Sequence, residues 1–286
     1  AERNAAVVNA KHEGVRADPE ADPRVDPRGE PEVHHRPEGQ HQRDRAEMLA
    51  GVVILSWVRE GPHQAPPTPF DLQGLRRIVG NRGVVLATGG YLGHMWELYA
   101  MWSSIGIFWA YVVARRALDP ALAPALAFIT IATGLLGCVA AGIVADRVGR
   151  ARVTIIAMAV SGACALGIGG LVNAPLPLLA TVAIIWGIAI IADSAQFSAC
   201  VTELAPREYV GTALTLQTCL GFLLTMVTIR LVPIWAARWG WAYAYAPLAI
   251  GPALGILSMW RLGNATRQRA SADATLLAPR TPPAAR

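Results

Sequence analysis

The chain has 286 residues, of which 53% are hydrophobic and only 16% charged, where about 25% charged is usual for soluble domains. Its net charge of +5 hides an uneven distribution: residues 1–50 hold 8 of the 25 basic and 11 of the 20 acidic residues, leaving 17 basic against 9 acidic in the rest. The 4 cysteines show no C-x-x-C spacing and sit in apolar runs, which argues against a disulfide framework. A polar leader is therefore joined to an apolar, mildly basic body, and no nucleic-acid partner is expected.

Residues 1–58 form the leader. Proline recurs at positions 19, 23, 27, 31 and 37 among mixed charges. Such a composition buries too little apolar surface to offset its ordering entropy and predicts disorder. His34, His35 and His41 match no standard metal spacing, and neither a metal nor a cofactor is implied. The run from Met48 to Trp57 is too short to span a bilayer. Residues 59–83 read as a cytoplasmic loop followed by a short amphipathic helix carrying Arg76, Arg77 and Arg82.

Six long apolar segments follow, at 84–114, 121–144, 153–172, 177–201, 210–232 and 241–261. A spanning helix needs about 20 apolar residues. Six such stretches leave too little polar surface for a water-soluble globule. The expected fold is an all-α membrane protein with a six-helix transmembrane bundle over 84–262 and a polar tail over 263–286. Frequent glycine, as in Ser161–Gly170, suits close helix packing in lipid. Arginines gather on the starting side of the bundle: Arg76, Arg77, Arg82, Arg147, Arg150, Arg152, Arg207, Arg261, Arg267 and Arg269. The positive-inside rule then makes that side cytoplasmic, with both termini inside a cell (inner) membrane. Trp235, Trp239 and Trp241 fall at the outer ends of the last two helices, like an aromatic belt.

The loop between helices 2 and 3 reads GIVADRVGRAR, Gly142–Arg152. Read plainly, it is a positively flanked turn. It also resembles the signature loop of the major facilitator superfamily, G-x-x-x-D-R-x-G-R-[KR]. Gly142, Asp146, Arg147, Gly149 and Arg150 match; Ala151 departs, and Arg152 follows one place later. With residues 59–83 resembling the central loop of that family, the body resembles the C-terminal six-helix half of a twelve-helix fold. The resemblance implies a secondary transporter that moves a small solute by alternating access, with the loop helping to lock the two halves. It also implies a missing N-terminal six-helix half as partner. The leader is then either a polar extension or, as the abrupt change near VILSWVREGP favours, the product of a shifted reading frame in a gene fragment.

Ionisable groups inside spans are costly and usually face a partner or a watery cavity. His94 and Glu97 lie at i and i+3, on one face of the first helix. Asp193 and Gln196 repeat that spacing on the fourth, and Gln217 lies at similar depth on the fifth. A carboxylate that cycles between charged and neutral forms can carry a proton, and a neighbouring histidine tunes it. Glu97 with His94 is thus a candidate proton or substrate site, against the plainer reading of a packing pair. Asp193 is a further candidate that could instead pair with a basic residue near the inner face. Gln196 and Gln217 are more often packing glue. Arg230 reads as a snorkelling side chain, and Pro247 with Pro252 and Gly251 suggests a kink.

A non-transporting fragment or assembly partner is the second reading of this sequence. An intramembrane enzyme is a remote third, because His94-Met-Trp-Glu97 lacks the H-E-x-x-H arrangement. No nucleotide-binding P-loop occurs either.

Overall fold

The computed structural model describes residues 48–49, 51–53, 55–57 and 72–277. The chain divides into two compact units, residues 1–64 and 65–286. In the first unit the described residues are helical. Most of the leader, expected to be disordered, lies outside the described residues, as does the tail beyond Leu277.

The second unit is all-helical among its described residues. A short amphipathic helix, α1 (Leu72–Gly80), leads into α2 (Arg82–Arg115). Asn81 separates them. Its side-chain oxygen accepts from the amides of Gly83 and Val84, and its Nδ2 donates to the carbonyl of Leu204 at 2.8 Å. One residue thus caps α2 and ties its start to a distant part of the bundle. Next come α3 (Leu122–Ala132) and α4 (Gly134–Val148), then α5 (Arg150–Gly167) with a short 3-10 turn. After these follow α6 (Leu176–Ala192), α7 (Ser194–Leu204) and α8 (Val210–Trp239). The single turn α9 (Trp241–Ala244) passes through a 3-10 turn at Ala246–Ala249 into α10 (Ile250–Leu277). Helix therefore continues into the segment expected as a polar tail.

Joined across their breaks, these elements give five helices long and apolar enough to cross a membrane: 122–148, 150–171, 176–204, 207–239 and 241–268. That is the pattern of a multi-pass membrane protein. The first apolar segment of the sequence, α2, has 34 residues but is not among the five. Its position explains the lower apolarity. It packs against α8 and α10, and also against α3 and α7. A helix sheltered on several sides does not need a continuous apolar surface for lipid, so it can carry glycine, tryptophan, histidine and glutamate.

Two seams bring helices unusually close. A side chain at Gly93 of α2 would strike the backbone carbonyl of Gly251 and, at 2.9 Å, the Cα of Gly255, both on α10. In the second seam, Gly137 of α4 faces the carbonyl of Ile188, and Gly187 of α6 faces that of Thr130. Small residues let backbones approach where lipid supplies no hydrophobic drive.

The spans 122–148 and 176–204 are both interrupted near their middles. At Thr133, between α3 and α4, the hydroxyl bonds back to the carbonyl of Thr130 at 3.0 Å. At Asp193, between α6 and α7, the side chain makes no capping bond to the helix it starts. That carboxylate is free to reach elsewhere.

Candidate functional site

The interior between α2, α5, α6 and α7 holds two buried carboxylates, Glu97 and Asp193. His94 Nδ1 lies 2.8 Å from Asp193 Oδ1, with both side chains almost fully enclosed. One turn further along α2, Glu97 Oε1 accepts two hydrogen bonds: from Ser161 Oγ of α5 at 2.8 Å and from Trp186 Nε1 of α6 at 2.7 Å. Trp186 and Asp193 are seven residues apart. Two helical turns place them on one face, so a single stripe of the span 176–204 serves both carboxylate partnerships. Tyr91 and Phe197 enclose His94, with ring centroids at 6.3 Å and 5.5 Å.

The two members of the α2 pair therefore have different company. His94 has a carboxylate partner. Glu97 has neutral donors, with no basic side chain at ion-pair distance among the described residues. His94 Nε2 and both amide atoms of Gln217 are buried and have no partner in the described structure. Unsatisfied groups of this kind are rare in interiors and costly.

The second sequence pair, Asp193 and Gln196, is divided by the fold. Asp193 faces His94, whereas Gln196 Oε1 accepts from Arg150 Nη1 at 2.9 Å. Arg150 Nε also donates to Glu203 Oε1 at 2.9 Å. Arg150 opens α5, so the signature-like loop is pinned to α7 by two bonds from one guanidinium. Gly149 makes the preceding turn with φ at 93°, a region that side chains other than glycine rarely adopt. Its amide closes α4 onto the carbonyl of Ala145 at 2.9 Å. Asp146 and Arg147 lie exposed at the same end, and Gly142 has open space around it.

At the opposite end, Arg116 donates to the carbonyls of Val172 and Ala174 at 2.7 and 2.5 Å, tying the end of α2 to the turn after α5. Arg230 is exposed on α8. Trp96 Nε1 reaches the carbonyl of Pro247 at 3.3 Å, where the last span is irregular.

No protein-family model matches this chain, and no curated protein does.

Two residues at the centre of the site were not singled out in the sequence, Ser161 and Trp186. Each looks like packing material, a small residue among glycines and an aromatic in an apolar run. The available signal was chemical. A buried glutamate needs donors, and Trp186 is a donor two turns from Asp193 on the same face.

Proposed function

We propose that this chain is a secondary transporter, or one six-helix half of one, of the kind the Gly142–Arg150 loop resembles. It moves a small solute by alternating access and couples that movement to protons through Glu97. The Arg-rich end faces the cytoplasm. The observation that carries this reading is Glu97 held in the interior by Ser161 and Trp186, with no cation bonded to it, beside the His94–Asp193 pair.

The donor chemistry supplies the coupling. When ionised, the Glu97 carboxylate can accept from both neighbours. When it gains a proton it must also donate. The Ser161 hydroxyl can turn from donor to acceptor, but the indole N–H of Trp186 can only donate. Both bonds fall on Oε1, so a proton on Oε2 removes the charge that strengthens them without rearranging the backbone. That gives a local charge change acting on a helix contact, which alternating access requires. The buried, unpartnered Nε2 of His94 is a polar group on the same helix through which a proton or solute can be received.

A second reading has its own support. Spans 122–148 and 207–239 are each only 22% buried, against 56% for span 150–171. Two poorly covered spans fit a bundle that works only with a partner bundle against them. The full chain, reconstituted into proteoliposomes, tests both readings with a panel of radiolabelled sugars, amino acids and organic cations. Accumulation driven by an imposed proton gradient supports the transporter. No uptake alone, with uptake once a second six-helix bundle is co-reconstituted, supports the half. No uptake in either case sinks the transport reading.

A further inference from the structure

A cleft of about 360 Å³ opens at the Arg-rich end, between the start of α5, the end of α7 and α10. Arg150, Arg152 and Arg267 line it, with Glu203 as its carboxylate and Leu204 and Leu262 as apolar wall. The charges are not balanced within it. Glu203 is taken by Arg150, whose Nη1 is also given to Gln196. Arg152 and Arg267 are exposed and make no ion pair or hydrogen bond among the described residues. Two guanidinium groups from different helices thus face one concavity without a counter-charge.

We propose that this cleft binds a phosphate ester through Arg152 and Arg267, with Arg150 beside them and bonded to Gln196 and Glu203. Planar guanidinium forks match phosphate oxygens better than single-point cations do. The mixed lining favours the headgroup of an anionic phospholipid as the source. A lipid phosphate can sit among the arginines while its glycerol and first methylenes lie on Leu204 and Leu262, whereas a free phosphate has no use for that wall. Basic pockets between spanning helices at the inner surface are suited to such headgroups. The proposal requires that the bundle lie in a membrane, and it is independent of whether the bundle transports anything.

Native mass spectrometry on the full chain in detergent tests it, with phosphatidylglycerol, phosphatidylcholine and inorganic phosphate as probes. The expected result is retention of phosphatidylglycerol over phosphatidylcholine. Arg152→Gln with Arg267→Gln should weaken that retention on the order of 30-fold, from roughly additive contributions of two surface arginines. Arg238→Gln, at the other end of the bundle, should leave it unchanged. Glu203→Gln releases Arg150 from its carboxylate and should tighten binding. Inorganic phosphate that binds with the same arginine dependence, while phosphatidylglycerol is not retained, assigns the site to a soluble phosphate ester. Retention equal in the double variant and the parent, for both lipid and phosphate, overturns the proposal. The substituted arginines are exposed, and the circular dichroism spectrum of each variant checks that the bundle is intact.

Discussion

Two polar contacts of nearly equal length lie in very different surroundings. His94 and Asp193 meet at 2.8 Å with side chains 2% and 3% exposed, and Arg150 and Glu203 meet at 2.9 Å with side chains 30% and 58% exposed. Distance alone would rank them together. Solvation separates them. At the Arg-rich end water and salt screen the charges, so the bond contributes little and can form and break. In the interior either partner left alone is an unpaired buried charge or a stranded imidazole. The same chemistry thus fixes the structure in one place and leaves it adjustable in the other.

The sharpest way to break this comparison is to remove one interior partner. Asp193→Ala should destabilise the bundle by about 3–5 kcal/mol if His94 stays charged, read from unfolding of the purified chain in mixed detergent micelles. Replacing both, with His94→Leu and Asp193→Leu, should recover most of that loss. A double variant as unstable as the single one would show that the pair is not what the interior depends on.

The next effect concerns helix approach. Gly187→Ala drives a Cβ into the backbone carbonyl of Thr130, and overpacking of this kind should cost about 1–3 kcal/mol in the same assay. Glu97→Leu should cost a comparable amount, since it strands Ser161 Oγ and Trp186 Nε1 at about 1–3 kcal/mol for buried groups left unpaired. Glu97→Gln keeps an acceptor for both donors and should fold nearly as well as the parent. The smallest effect belongs to the exposed pair. Glu203→Gln should change stability by less than about 1 kcal/mol, and raising salt should shrink even that difference.

The helices were legible because hydrophobic run length is a property of the sequence itself. The segment at 84–114 lies inside one helix, and those at 121–144, 153–172, 177–201, 210–232 and 241–261 overlap described helices, with breaks at Thr133, Asp193 and Tyr245. The interruption at Asp193 was not legible, since neither a proline nor a glycine stands beside it; at Thr133 the adjacent Gly134 was one glycine among many in these apolar runs. The i, i+3 spacing of His94 with Glu97 gave a common face, but it could not give the rotation of α2 against its neighbours. That rotation decides that Asp193 serves His94 while Ser161 and Trp186 serve Glu97. For Asp193 and Gln196 the same rule had a different outcome. The helix break between α6 and α7 and the reach of Arg150 send the two side chains to different partners. The loop residue Arg150 was visible as a motif position; its bond to Gln196 needed the third dimension.

The central claim is that Glu97 carries the proton that drives the bundle. Proteoliposomes containing the full chain, with its partner bundle if one is required, and a trapped pH-sensitive dye test it directly. A transported solute should draw protons across the membrane with the parent chain. With Glu97→Gln that proton movement should vanish, while exchange of the solute down its gradient persists. Solute-driven proton movement at the parental rate in a well-folded Glu97→Gln variant would contradict the account.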